Sequence, residues 1–225
     1  MADNEPGLFF LMRIDPAGWP FILGAAVLGV LPGVLVGWFW AIPGLLLSAF
    51  CLFFFRDPER QIPTLDDSVL SPADGRVMIV GAPPGTNVPA GTWQQVSIFL
   101  SPMDVHVNRI PLSGQVTHLE YHPGRFLPAY RREAGDLNEY TEIWLQHGSQ
   151  TIVVRQIVGL LARRIVCRTR VGAAVQAGER YGVMKFGSRM DVFLPVDAEL
   201  RVAVGDRVTA GISVLATLAQ RGQQP

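Results

Sequence analysis

The chain has 225 residues, with 19 Lys and Arg against 19 Asp and Glu. This length suits one domain of ordinary size plus an appendage. The balanced charge and the lack of nucleic-acid-binding motifs argue against a nucleic acid partner. Cys51 and Cys167 are too few and too far apart for a disulfide framework, so we expect free thiols. The histidine spacing fits no metal motif, so we expect no metal site.

The first feature along the chain is an uncharged run over residues 16–55, which contains no Asp, Glu, Lys, Arg or His. As one helix it would be about 60 Å long, roughly twice the hydrocarbon thickness of a bilayer. Prolines and glycines at 32–33 and 42–44 interrupt it, so we predict two short spans or a re-entrant hairpin. Arg13 and Arg56 flank the run, which favours cytoplasmic ends. The alternative is a buried helical pair in a soluble protein.

After the apolar run, from Val69 onward, short alternating runs are separated by turn residues, which is typical of β-strands. We predict an N-terminal segment over residues 1–15, a helical membrane hairpin over 16–55, and a compact, mainly antiparallel β domain over 56–225. The predicted strands cover residues 69–70, 76–80, 95–100, 151–154, 164–167 and 191–194.

A faint internal repeat lies near the C-terminus. Residues 175–180 and 202–208 share apolar positions followed by glycine, an acid and arginine. The pattern predicts barrel-sandwich hairpins like those of lipoyl- and biotinyl-type domains. Ordinary strand–turn–strand punctuation is the alternative.

The dipeptide Gly187-Ser188 lies between apolar residues in a predicted strand. Glycine inside a strand usually marks a bulge, a bend or a close backbone approach. The serine hydroxyl lies near the preceding carbonyl carbon, so a base that removes its proton can turn the amide into an ester. That reaction is one way to build an electrophile without a bound cofactor. The dipeptide is common, and a bulge with a solvated hydroxyl is the other interpretation.

Two further segments supply groups that such chemistry needs. Residues 71–75 read Ser-Pro-Ala-Asp-Gly and residues 99–106 read Phe-Leu-Ser-Pro-Met-Asp-Val-His, ahead of Lys-Phe-Gly-Ser at 185–188. In this order they resemble the phosphatidylserine decarboxylases, particularly the short bacterial and archaeal forms. The resemblance runs from about residue 56 to residue 214. Other segments that are similar to family blocks are 56–60, 123–126, 138–139 and 156–159.

The resemblance implies a pyruvoyl-dependent lyase made as a proenzyme. Ser188 would attack the Gly187 carbonyl, and the cut would leave a β chain of residues 1–187 and an α chain of residues 188–225 that stay associated. Ser188 would become a pyruvoyl group that forms a Schiff base with phosphatidylserine and yields phosphatidylethanolamine. The expected location is the cytoplasmic side of the inner membrane. Pyridoxal phosphate is not expected, because the one lysine, Lys185, has no phosphate cradle around it.

The resemblance also implies a relay in which Asp74 orients the imidazole of His106, and His106 takes the proton of Ser188. Arg109 stands where many long forms carry a second histidine, and arginine cannot act as a base near neutral pH. The base for self-cleavage is therefore left open. The residues that the resemblance assigns to the substrate are Arg109, Arg125 and Phe126.

Several alternatives stay open at this point. The same machinery can serve another amino-acid-like substrate. The β domain can instead be a membrane-tethered, lipoyl-like binding module with Lys185 as the modified residue. A solvated surface loop is the other interpretation of Arg125. The sequence does not decide between a monomer and a homodimer, and it does not define the acyl-chain preference or the span boundaries.

Overall fold

The uncharged run near the N-terminus forms two helices, and the alternating pattern after it forms antiparallel sheets, so the prediction of a mainly β chain with an apolar helical start is confirmed. The computed structural model describes residues 13–160, 164–185 and 187–219. The chain divides into two compact units, Met1–Arg60 and Gln61–Pro225.

The first unit contains the apolar helices. Asp15 caps a short 3-10 helix at Pro16–Gly18, since its carboxylate accepts from the Ala17 N–H at 2.9 Å. Helix α1 covers Trp19–Leu35, a 3-10 helix covers Trp38–Ala41, and α2 covers Ile42–Phe54. Among the residues that the structure describes, one stretch, Pro16–Leu35, is long and apolar enough to cross a membrane by length and composition.

The predicted break at residues 32–33 is wrong in position. Helix α1 continues through Pro32 to Leu35, and the chain turns at Gly37, where φ is +145°. Pro43 lies in the first turn of α2, where its missing N–H has no intrahelical partner to lose. A proline inside a helix removes one hydrogen bond, which neighbouring helices and local adjustment can compensate.

The two helices approach each other through glycines. A Cβ built on Gly44 would lie 2.3 Å from the Cα of Gly29, and one built on Gly29 would lie 2.8 Å from the carbonyl oxygen of Ala41. The Ser48 hydroxyl donates across the pair to the carbonyl of Ile22 at 3.0 Å. The backbones can therefore come this close only because small residues line the contact.

The strands have the following bounds. In the first unit, β1 (Arg13–Ile14) pairs with β2 (Arg56–Asp57). The second unit contains β3 (Ser68–Leu70), β4 (Gly75–Gly81), β5 (Trp93–Leu100), β6 (Val107–Arg109), β7 (Gly114–His122), β8 (Tyr140–His147), β9 (Gln150–Val158), β10 (Ile165–Cys167), β11 (Ala174–Val175), β12 (Arg180–Met184), β13 (Ser188–Pro195), β14 (Glu199–Leu200), β15 (Arg207–Val208) and β16 (Val214–Thr217). A short helix, α3, covers Ala134–Leu137.

The strands of the second unit pair antiparallel. The largest sheet has the order β11-β7-β8-β9-β13-β5-β4-β15, and two smaller sheets have the orders β10-β12-β6 and β14-β16-β3. All three sheets contribute to one buried apolar core. Strand β13 is central in the large sheet, so the chain after residue 187 is hydrogen-bonded on both sides.

The two segments of the internal repeat form the same turn. The first N–H of each turn donates to the acid three residues later, from Gln176 to Glu179 at 3.0 Å and from Ala203 to Asp206 at 2.8 Å. The glycine between them has a positive φ in both turns, which favours glycine. The repeat therefore exists in the local structure, while the barrel-sandwich arrangement stays a prediction. The two glycines are Gly178 and Gly205.

We expect Gly44→Ala to destabilise the helix pair, because the added methyl group would collide with the Gly29 backbone. Gly24→Ala is the matched control, since nothing lies within 4 Å of a Cβ there, and alanine favours a helix over glycine by about 1 kcal/mol. Thermal unfolding in detergent, followed by circular dichroism, should give a lower midpoint for Gly44→Ala and an equal or higher one for Gly24→Ala. Equal midpoints for the two variants would show that the contact carries no energy.

Candidate active site

Ser188 begins strand β13, opposite Val158 of β9 and Leu100 of β5. It is fully buried, and its Oγ has no hydrogen-bond partner among the described residues. A buried hydroxyl without a partner costs about 1–3 kcal/mol. The residue before it, Gly187, has a φ of +73°, in the region that favours glycine. The structure therefore keeps an unpartnered nucleophilic group next to an irregular peptide.

The imidazole of His106 lies against the same glycine. The Gly187 N–H donates to its Nε2 at 3.4 Å, and its Nδ1 lies 3.0 Å from the carbonyl oxygen of Asp104. A carbonyl can only accept, so in the neutral ring Nδ1 carries the proton and Nε2 holds the lone pair. The lone pair accepts from the N–H of Gly187, so a group able to act as a general base contacts the residue before Ser188. The Asp104 carbonyl thus fixes this tautomer, and the orienting role of Asp74 stays a prediction.

Asp74 lies in the turn before β4. One carboxylate oxygen accepts from the Ala210 N–H at 2.8 Å. The same segment is joined to β6 by a hydrogen bond from the Arg109 N–H to the Pro72 carbonyl at 2.9 Å. The Asp74 turn therefore lies beside the strand that directly follows His106, and its catalytic role stays a prediction.

The three predicted substrate residues lie in two places. Arg109 is buried in β6, and its Nη1 donates to the Gly178 carbonyl at 3.0 Å. Arg125 and Phe126 are exposed. The structure therefore brings His106 to Gly187, the residue before Ser188, while Arg109 is packed against a turn and the other two lie at the surface.

The segment that carries Phe126 is tied to the end of β9 by Asn138. The Asn138 amide bonds the backbone of Leu127 through both of its polar atoms, at 2.7 and 2.9 Å, and its Nδ2 also donates to the Val158 carbonyl at 2.8 Å. Val158 lies opposite Ser188. The exposed segment is therefore held at the end of the strand next to the serine.

A buried polar layer covers the face of β13 opposite Ser188, and the sequence analysis missed it. Arg189 donates from Nε and Nη2 to the two carboxylate oxygens of Asp191, at 2.6 and 2.8 Å. Ser97 accepts from Arg189 at 3.1 Å, and Gln95 donates to Asp191 at 2.9 Å. A second buried pair, Arg155–Glu142, lies beside it in the sheet. The period-two spacing of Arg189 and Asp191 was the signal that could have found this layer.

Another nucleophile is less suited to the chemistry. Cys167 is a free thiol in β10, and burial raises its pKa. A raised pKa leaves the thiol protonated near neutral pH, and the thiolate is the reactive form. Within the described residues, no three of His, Cys, Asp and Glu come together as a metal site requires.

We expect Asp191→Asn to destabilise the fold by about 3–5 kcal/mol, because it leaves the Arg189 charge buried and unpaired. Glu199→Gln is the matched control, since Glu199 and Arg201 form an exposed pair at the same spacing, and such pairs contribute about 0–1 kcal/mol. Urea denaturation in a Ser188→Ala background, which removes the reactive hydroxyl, should give a larger loss of unfolding free energy for Asp191→Asn than for Glu199→Gln. A small loss for Asp191→Asn would mean that water reaches the buried guanidinium.

Comparison with known proteins identifies the family of this chain. The sequence model of the phosphatidylserine decarboxylase family matches residues 47–216. Relatives named phosphatidylserine decarboxylase proenzyme include those of Nitrosomonas europaea, 42% identical over 200 residues (88% of this chain, 92% of the relative), and Symbiobacterium thermophilum, 45% identical over 206 residues (90% and 94%). The relative of that name from Cupriavidus taiwanensis is 40% identical over 205 residues (89% and 94%). The chain therefore belongs to the phosphatidylserine decarboxylase family.

Proposed function

We propose that the chain cuts itself between Gly187 and Ser188 and then decarboxylates phosphatidylserine to phosphatidylethanolamine. The observation that supports this most directly is the buried, unpartnered hydroxyl of Ser188, which directly follows the residue whose N–H donates to Nε2 of His106. The name shared by the relatives, phosphatidylserine decarboxylase proenzyme, describes both a processed precursor and this substrate.

Self-cleavage begins when the Ser188 Oγ adds to the carbonyl carbon of Gly187. Nε2 of His106 takes the hydroxyl proton and passes it to the nitrogen of residue 188 as the carbon–nitrogen bond breaks, so the amide becomes an ester. Loss of the α-proton of residue 188 then expels the Gly187 carboxylate and leaves a dehydroalanine. Water replaces the nitrogen of that residue, which leaves as ammonia, and a pyruvoyl group remains at residue 188.

A pyruvoyl group at residue 188 would supply a ketone for the substrate amine and an acceptor for the electron pair that stays on the α-carbon when carbon dioxide leaves. The chain holds this end in place, because β13 is paired with both β5 and β9. The same pairing keeps the α chain on the β chain after the cut. His106 stays oriented by the Asp104 carbonyl, and its Nε2 returns a proton to the carbon that lost carbon dioxide.

We assign Asp74 an electrostatic part in the relay. Its carboxylate, held by the Ala210 N–H, stabilises the imidazolium that forms when His106 takes a proton. Arg125 and Phe126 are better placed for the lipid than Arg109, because they are exposed on the segment that Asn138 holds at the end of β9. Arg109 is buried against the Gly178 carbonyl.

The apolar hairpin supports a membrane location. Pro16–Leu35 is long enough to span, and Trp38 and Trp40 are exposed between the two helices, as expected of aromatic residues at a membrane interface. We propose that the hairpin anchors the chain in the inner membrane with both ends cytoplasmic. The two equivalent turns at Gly178 and Gly205 support lipoyl-like hairpins in the β domain.

Intact mass spectrometry tests the proposed cut. We expect the wild-type chain to give two pieces, 1–187 and 188–225, with no free α-amino group on the second. Ser188→Ala should stay a single chain, because the attacking hydroxyl is absent. Ser149→Ala, which removes an exposed turn hydroxyl, should be cut like the wild type. An uncut wild-type chain that still releases product would refute the proposal.

The same preparations separate the alternatives for the substrate. Carbon dioxide release from phosphatidylserine in detergent, and little from free serine, is the expected result. Release from free serine alone would favour another amino-acid-like substrate. An uncut chain with a lipoyl mass on Lys185 would favour the carrier module.

A second prediction concerns the base. We expect His106→Ala to slow self-cleavage by about 10²–10⁴-fold, the usual contribution of a positioned general base. His118→Ala is the control, since His118 is exposed and bonds Glu120 at 3.2 Å. The time course of chain cutting in purified proenzyme measures both. An unchanged rate for His106→Ala would assign the base to another group.

A further inference from the structure

Gly159 follows strand β9 and lies against the carbonyl of Gly187. A Cβ built on Gly159 would lie 2.1 Å from the Gly187 carbonyl oxygen and 3.0 Å from its carbonyl carbon. Real Cβ atoms essentially never come within 3.0 Å of another heavy atom. The Gly187 oxygen therefore occupies space that only glycine at position 159 leaves open.

Gly187 and Gly159 differ in how closely other atoms surround them. Nothing lies within 4 Å of a Cβ built on Gly187, so the space beside that α-carbon is open. On the other side, Gly159 continues a strand whose last residue, Val158, is paired with Ser188 and bonded to Asn138. The position of the Gly159 α-carbon is therefore fixed, and this atom limits where the Gly187 carbonyl can lie.

Ala129 also borders this space. The Cβ of Ala129 lies 3.3 Å from the Cβ position built on Gly159, and Ala129 is itself buried. A methyl group at 159 would meet Ala129 as it moved away from the carbonyl. The Gly187 peptide, and not the methyl group, would have to move.

We propose that Gly159 is a positioning residue for self-cleavage, because it holds the Gly187 carbonyl in the orientation that Ser188 attacks. This inference rests on the self-cleavage proposed above. A hydroxyl must approach the carbonyl carbon from outside the peptide plane, so the orientation of that plane decides whether attack succeeds. The Cα–H of Gly159 points at the oxygen, and such weak contacts favour the negative charge that develops there. A misplacement of about 1 Å at a reacting centre costs about 10²-fold in rate.

The test compares two glycines at which an added Cβ would collide with a main-chain carbonyl oxygen. Gly159→Ala should slow self-cleavage about 100-fold or more. Gly114→Ala is the matched control, because its Cβ would lie 2.2 Å from the Gln146 carbonyl oxygen, in a strand separated from β13 by β8 and β9. Thermal midpoints in a Ser188→Ala background report the stability loss of each. Gly114→Ala should lose comparable stability and still cut near the wild-type rate.

Hydroxylamine identifies the step that is affected. At neutral pH it cleaves an ester and spares a peptide, giving a hydroxamate at Gly187 and a free Ser188. Gly159→Ala should show little hydroxylamine-dependent cutting, because the ester does not form. Accumulated ester would overturn the proposal, since Gly159 would then act after the attack. If Gly159→Ala folds poorly, Gly159→Ala with Ala129→Gly removes the 3.3 Å contact and keeps the collision with the carbonyl, so cutting should stay slow.

Two further outcomes would overturn the inference. One is a cutting rate of Gly159→Ala equal to that of the wild type. The other is a loss of cutting rate in Gly159→Ala and Gly114→Ala that simply follows the loss of stability in each. A wild-type chain that never cuts is a different result, because it would refute the proposed function itself and this inference with it.

Discussion

The pairing of β13 is the constraint on which the site depends. This strand is paired with β5 from Ser188 to Pro195 and with β9 from Ser188 to Phe193, so residue 188 has a fixed place at the start of a central strand. Because side chains alternate across a strand, Ser188 faces the core and Arg189 faces the opposite layer. The irregular peptide at Gly187 is therefore attached to a strand that is held rigidly on both sides. Reacting groups on a rigid strand spend far more time in a productive geometry than groups on a free loop.

The polar layer behind β13 links stability to this geometry. Charges in a protein interior are costly unless they are paired and hydrogen-bonded. Arg189 and Asp191 pair with each other. On the neighbouring strand, Ser97 accepts from Arg189 and Gln95 donates to Asp191. These directional bonds allow one register of β13 against β5. A cut before residue 188 would leave β13 with a free end, and the ladder and the ion pair would hold that end in place.

Glycine has the same physical role in both units of the chain. In the helix pair, Gly44 lies against the backbone of Gly29, and in the β domain Gly159 lies against the carbonyl of Gly187. In both places an added methyl group would meet main-chain atoms, which cannot rotate away as a flexible side chain can. The first contact lets two apolar helices pack closely. The second governs the peptide that the proposed chemistry breaks.

Local pattern and motif order were enough to predict the apolar helices and the mainly antiparallel β domain, and they named His106 and Ser188 as candidates. Strands β7 and β8 were not predicted, because polar and aromatic residues interrupt their alternation. The end of α1 was misplaced, because whether Pro32 breaks a helix depends on its surroundings. Only the tertiary structure decided the contact of Nε2 of His106 with the Gly187 N–H and the contact of Gly159 with the Gly187 carbonyl. Periodicity reports which face a side chain lies on, and it carries no information about which distant backbone atoms will meet there.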